Sequence, residues 1–301
     1  MIHRIRLPAF VGAVAMSALA LGGCTATVSD APTTIQVVAS TDVYGDLAKT
    51  IGGAQATVTS IIDDPAKDPH EYQADARTQL AVSKAQVIIE NGGGYDDFVD
   101  TMISASGNTK ASLINAVRLS GYDTTAKGFN EHVFYDYPTV GKVIDAIVAD
   151  FSKADPSHSA AFADRGAGLR VALDELENEE TTLRATSAGV GAAITEPVPD
   201  YVLKALGMTI VTPTAFSKAI EQGTDAPATV LEQTLATFSS GQAKLLVYNV
   251  QTTGAQVDAV LAAAKKAAVP AVPVSETLPS GLDYITWQKG VLASIAQALA
   301  G

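Results

Sequence analysis

The chain has 301 residues, 47% of them hydrophobic, with a formal net charge of −12 and a single cysteine. This length provides for about two domains of ~100–200 residues, each able to bury its own core. The acidic balance excludes nucleic acid as a partner and an electrostatic hold on anionic lipid.

The N-terminus is read first for compartment. Arg4 and Arg6 form a basic start, and Ala9 to Leu21 form an apolar run. The run is shorter than the ~20 residues that span a bilayer, and it ends in small residues, as a secretory signal does. It closes Leu21-Gly22-Gly23-Cys24, close to a bacterial lipobox, in which the chain is cut before the cysteine and the thiol carries lipid. Residues 1–23 are therefore expected to be a lipoprotein signal peptide, Cys24 the lipidated residue, and 24–33 a tether. Past Cys24 no thiol remains, so a metal site must use N and O ligands.

Short β-rich runs then alternate with helical patterns. Strands are expected at Thr34–Ser40, Thr57–Ile62, Ala85–Glu90 and Ala111–Leu119. Helices are expected at Val43–Ile51, Ala74–Lys84, Asp96–Ser106 and Tyr137–Ala154. Several strands are nearly continuous apolar runs, as in parallel sheets covered on both faces. From Ser157 to about Thr186 there is no proline, and Phe162, Leu169, Leu173, Leu176 and Leu183 keep one helical face apolar. This predicts a helix of ~40 Å at 1.5 Å per residue. Gly166 and Gly168 each cost ~1 kcal/mol relative to alanine, which favours fraying or bending at its start. The scheme then repeats, with strands at Val190–Thr195, Met208–Thr212, Lys244–Asn249 and Val269–Ser275. Helices are expected at Asp200–Leu206, Ala226–Ser239, Gly254–Ala268 and Tyr284–Ala300. The fold class is α/β, with two lobes of mainly parallel sheet joined by one long rigid helix. The N-terminal lobe is placed at 34–155, the inter-lobe helix at 156–186 and the C-terminal lobe at 187–301.

The chain has four histidines. His3 lies in the leader, and His158, after Asp155-Pro156-Ser157, reads as a solvated residue at a helix start. His70 follows the strand ending at Ile62, and His132 follows the one ending near Leu119. Glu196 and Glu276 each follow a strand directly. In open parallel sheets ligands bind beyond the carboxyl ends of the strands. Two imidazoles from one lobe and two carboxylates from the other are suited to one divalent ion, Zn²⁺ or Mn²⁺. Asp283 is the alternative to Glu276 as fourth ligand. Asn91-Gly92-Gly93-Gly94 is read as a tight turn, since no Lys-Ser/Thr follows to make a phosphate loop.

The local motifs go further. Asp68-Pro69-His70-Glu71-Tyr72 and Asn130-Glu131-His132-Val133-Phe134-Tyr135-Asp136 resemble the two histidine motifs of the zinc- and manganese-binding solute-binding lipoproteins of bacterial ABC importers. Asn91-Gly92-Gly93-Gly94 resembles their Asn-Gly-x-Gly segment. Glu196 matches their third ligand position, and Glu276 their fourth. The resemblance implies two lobes bridged by a stiff helix with the ion between them. It also implies a lipid-anchored monomer on the extracytoplasmic face of the membrane, with an ABC permease and its ATPase as partners and no catalysis. The His-rich acidic loop of many zinc-dedicated members is absent, and the third ligand is Glu rather than His. Both departures incline the reading toward Mn²⁺, while the Irving–Williams order favours Zn²⁺ at any N/O site. The rival functions are a metal-dependent surface adhesin and a metallohydrolase.

Overall fold

A computed structural model describes residues 1–3, 34–64, 72 and 75–301. The expected signal run, Cys24, the tether and His70 lie outside the described residues. Met1–His3 are exposed and irregular, and the architecture below concerns Thr34–Gly301. Among the described residues no helix is long and apolar enough to cross a membrane.

The strands are β1 (Ile35–Thr41), β2 (Ala56–Ile62), β3 (Val87–Glu90), β4 (Ser112–Asn115), β5 (Gly191–Ile194), β6 (Thr209–Ile210), β7 (Leu245–Asn249) and β8 (Ala271–Val274). They make two wholly parallel sheets of the same topology, β2-β1-β3-β4 and β6-β5-β7-β8. In the first, Val37 pairs with both Val58 and Val87, and in the second Ala192 pairs with both Ile210 and Leu245. Each chain segment winds outward and then returns on the other side of its first strand. A crevice therefore opens at the carboxyl ends beside β1/β3 and β5/β7. Strands β3 and β5 are buried at every residue, as sheets covered on both faces require.

The helices are α1 (Asp42–Gly52), α2 (Ala76–Lys84), α3 (Phe98–Ser106), α4 (Ala116–Ser120), α5 (Tyr137–Ala154), α6 (Ser159–Ser187), α7 (Asp200–Ala205), α8 (Thr214–Glu221), α9 (Ala228–Ser239), α10 (Ala255–Lys266) and α11 (Tyr284–Ala300). Two sequence expectations fail here. The run expected as a strand over Ala111–Leu119 ends as one at Asn115. There the Asn115 side chain accepts the Arg118 N–H and caps α4, so a local helix cap overrides the apolar pattern. Helix α8 was not expected at all. It starts after Pro213, and its short apolar face buries Phe216 and Ile220.

The 29 residues of α6, roughly 43 Å long at 1.5 Å each, are tied at both ends. Near its start Arg165 donates to the carbonyls of Ile51 and Gly52 at the end of α1. Near its end Arg184 donates to the Ala205 carbonyl and Ser187 to that of Leu206, beyond α7. The helix is continuous through Gly166. A Cβ there would lie 2.4 Å from a Val148 methyl, so the glycine lets α5 and α6 approach closely and its propensity cost is offset by packing.

One hydrophobic cluster runs through both halves of the chain, from Ile35 and Val37 to Trp287, Leu292 and Ile295. Its centre is aromatic: Trp287 packs edge-on to Tyr135 at 5.3 Å and Tyr284 at 6.1 Å, and stacks at 6.4 Å on Phe134. Trp287→Ala is expected to destabilise the protein by ~3–5 kcal/mol through the cavity it leaves, read as a lowered denaturant midpoint at unchanged slope. A loss below ~1 kcal/mol would mean that the halves do not depend on this shared core.

Candidate metal centre

His132 is supplied by the loop before a 3-10 turn at Val133–Tyr135, which leads into α5. The ring is fully buried. Asn130 sets its orientation: the Asn130 Oδ1 accepts from the His132 backbone N–H at 3.0 Å and lies 2.7 Å from the ring Nδ1. An amide oxygen can only accept, so Nδ1 carries a proton and Nε2 is the ring nitrogen left to face the site. Tyr95 and Phe134 wall the ring edge-on, each at 5.7 Å.

Glu276 comes from the other lobe, two residues past β8, and is 1% exposed. Its Oε2 lies 3.4 Å from His132 Nε2. Its main chain is held on three sides. The Gln251 side chain accepts its N–H, Tyr95 donates to its carbonyl, and Tyr135 donates to the carbonyl of Ser275. Glu196, two residues past β5, is 3% exposed. Between the two acids stands Asn249, the last residue of β7. Its Nδ2 donates to Glu196 Oε2 at 2.5 Å and to Glu276 Oε1 at 2.8 Å. His132, Glu196 and Glu276 are thus brought together as the strand-end argument expects. His70 lies outside the described residues. Asp283 does not join them: it is exposed, and its carboxylate caps α11 through the Thr286 N–H and hydroxyl. His158 is half exposed and bonded to Asp155.

The sequence reading missed two nearby groups. Glu221, on the last turn of α8, places Oε1 3.8 Å from His132 Nδ1, and ligand atoms of Glu131, His132 and Glu221 lie within 4.8 Å of one another. Because Nδ1 is taken by Asn130, these carboxylates make an anionic surround rather than a second ligand set. Asn249 carries one signal in the sequence, its place at a predicted strand end, but a neutral amide has no charge to mark it as a partner of the acids.

Burial lowers the proton affinity of His132, but hydrogen bonding and charge from Glu276, with Glu131 and Glu221, outweigh it and push the ring up to about 9. Burial raises Glu196, and raises Glu221 to about 7. The negative charge that Glu276, Glu131 and Glu221 direct at His132 thus outweighs the cost of burying a charged ring. A divalent cation held by these groups would have to displace the His132 proton. The Asn91 and Gly92 N–H groups, which an anion would seek, both donate to Asp96 at 2.7 Å. The glycine turn therefore serves to place Tyr95 rather than to bind phosphate.

The lobes are also pinned beside the site. Asn130 Nδ2 donates to the Pro197 carbonyl and Tyr201 donates to the Asn130 carbonyl. Asp42 and Asp46 of α1 accept the N–H groups of Leu278 and Tyr284.

Comparison with known proteins places this arrangement. Residues 37–298 match the family described as zinc-uptake complex component A periplasmic. The manganese-binding lipoprotein MntA of Bacillus subtilis (strain 168) is 30% identical over 158 residues, 50% of this chain and 51% of that protein. The lipoprotein of the same name from Halalkalibacterium halodurans is 26% identical over 147 residues, 48% and 47% of the two chains. The chain thus spans about half the length of the curated relatives it matches. Among solved structures, the periplasmic zinc binding protein TroA from Treponema pallidum superposes with a TM-score of 0.74 at 16% identity, covering 89% of this chain and 99% of that one. The FpvC protein of Pseudomonas aeruginosa in complex with Mn²⁺ gives 0.73 at 19%, with the same coverage. At such identities the likeness is one of fold, whereas the family match extends from β1 through nearly all of α11: this chain belongs to the zinc-uptake complex component A family of periplasmic proteins.

Proposed function

We propose that the chain captures one divalent transition-metal ion, Zn²⁺ or Mn²⁺, between its lobes and delivers it to an ABC importer, without catalysing a reaction. The observation that carries this reading is the approach of His132 Nε2 and Glu276 Oε2, from opposite lobes, to 3.4 Å in a buried site. Glu196 is the third ligand, tied to Glu276 through Asn249. His70 is the fourth, on the strength of its motif. Imidazole and carboxylate together suit Zn²⁺ and Mn²⁺. The lobes are taken as 34–155 and 187–301, bridged by 156–186. Cys24 carries the lipid that holds a monomer at the extracytoplasmic face of the membrane, beside the permease and ATPase that accept the ion. The names of the relatives, a manganese-binding lipoprotein and a zinc binding protein, support the cargo class and the anchor.

Titration calorimetry on chelator-stripped protein tests the reading, with one ion bound per chain expected. Saturation at ~1,000 Kd should add ~4 kcal/mol to the stability of a chain that is already folded without metal. No binding of either ion would refute it. Unfolding on chelation would instead assign the ion a structural role.

A further inference from the structure

Asn249 is a neutral residue at the centre of a charged site, 1% exposed, and no ligand set includes it. Its orientation is fixed by its neighbours. Oδ1 accepts the Gln251 backbone N–H at 3.1 Å, so Nδ2 is the atom that faces the acids. Its own N–H donates to Thr195 Oγ1 at 3.0 Å, which locks the end of β7 to the segment carrying Glu196. The two N–H bonds of Nδ2 reach Glu196 Oε2 and Glu276 Oε1, with Thr252 Oγ1 a longer contact at 3.3 Å.

The consequence concerns how many oxygens the carboxylates can offer. A carboxylate binds a cation through one oxygen or through both. An oxygen accepting a short amide hydrogen bond, in a buried site where that bond cannot be exchanged for water, is costly to redirect. With Oε1 of Glu276 held by Asn249, Oε2 is the oxygen turned toward His132 Nε2. The same amide holds Oε2 of Glu196. One side chain therefore bonds one oxygen of each acid, with Thr252 also bonding Glu196, and biases each acid toward ligation through its other oxygen.

We propose that Asn249 is a positioning residue that sets the metal preference of the site, by holding Glu196 and Glu276 to one-oxygen ligation and so keeping the coordination number low. Low coordination suits Zn²⁺, which is bound almost always by four ligands. Mn²⁺ takes sets richer in oxygen. The inference rests on Glu196 and Glu276 being ligands.

The test compares the full chain with its Asn249→Leu and Asn249→Ala variants, both checked for an unchanged circular dichroism spectrum. Zn²⁺ and Mn²⁺ salts are titrated separately, and X-ray absorption reads the shell of the Zn²⁺ form. The wild type should show about four first-shell N/O atoms. In a folded variant the freed acids should swing to two-oxygen ligation, raising that number by at least one. The Zn²⁺-over-Mn²⁺ affinity ratio should fall by ~10-fold or more, the scale on which outer partners act. An unchanged shell with both affinities lowered by the same factor would overturn the inference and leave Asn249 a packing residue. A wild type that binds, with Glu276→Gln as tight as wild type, would instead overturn the ligand assignment beneath it. If both Asn249 variants failed to fold, the wild-type shell decides: two-oxygen carboxylates there would refute the restraint, and one-oxygen carboxylates would uphold it.

Discussion

Replacing His132 with alanine is expected to lower the affinity for Zn²⁺ and Mn²⁺ by more than ~100-fold, beyond the ~10–100-fold that loss of an orienting partner costs. The ring is fully buried, its tautomer is set by Asn130, and its Nε2 faces Glu276, so its loss removes a nitrogen already aimed into the site. Asn130→Ala leaves the ring but removes the acceptor that holds its proton on Nδ1, and should fall inside the ~10–100-fold range. Because Asn130 also donates to the Pro197 carbonyl across the cleft, that variant should release metal faster as well. His132→Ala removes the imidazole 3.4 Å from the buried Glu276 carboxylate, so the metal-free variant should be less stable than wild type. Competition titration against a chelator of known affinity measures all three chains. Wild-type affinity in His132→Ala would defeat the assignment of the site.

The second large effect is on stability, and its sign is unusual. Burial pushes Glu180 of α6 up to about 8 and Glu90 at the end of β3 up to about 7. Neither is among the proposed metal ligands. For such acids the folded chain keeps its proton while the unfolded chain loses it near pH 4.5. Between those values the unfolded state binds fewer protons, so stability falls as pH rises. The contribution is full below about pH 4.5 and is lost as pH climbs through about 7 and then about 8. Each pKa unit corresponds to about 1.4 kcal/mol. Allowing for partial solvent screening, the pair together are worth on the order of 5 kcal/mol between pH 5 and pH 8. Denaturant unfolding of the metal-free chain across that range should show the midpoint dropping toward alkaline pH. Glu180→Gln should flatten the slope. A midpoint that rises from pH 5 to pH 8 would show that these carboxyls are not held protonated.

The parts of this fold that were legible in the sequence are those that local chemistry decides. Helices α5 and α11 lie where their apolar periodicity put them, because each buries one continuous face. The parallel strands were visible as apolar runs because they are covered on both sides. Errors fell where a single local contact outweighed a pattern: the Asn115 cap that turns a predicted strand into α4, and the Val148 contact that makes Gly166 favourable inside α6. Helix α8 went unseen because two buried apolar side chains over eight residues are too faint a period. Glu221 went unseen with it.

By itself the sequence determined the donor types, their places at strand ends and the α/β repeat, all of which follow from residue chemistry and short-range periodicity. The tertiary structure decided which donors meet. Glu276 approaches His132 while Asp283 is spent on a helix cap, and Asn249 stands between two acids that are distant along the chain. That outcome depends on how the two lobes pack around α6 and a shared aromatic core, a long-range arrangement that no local spacing encodes.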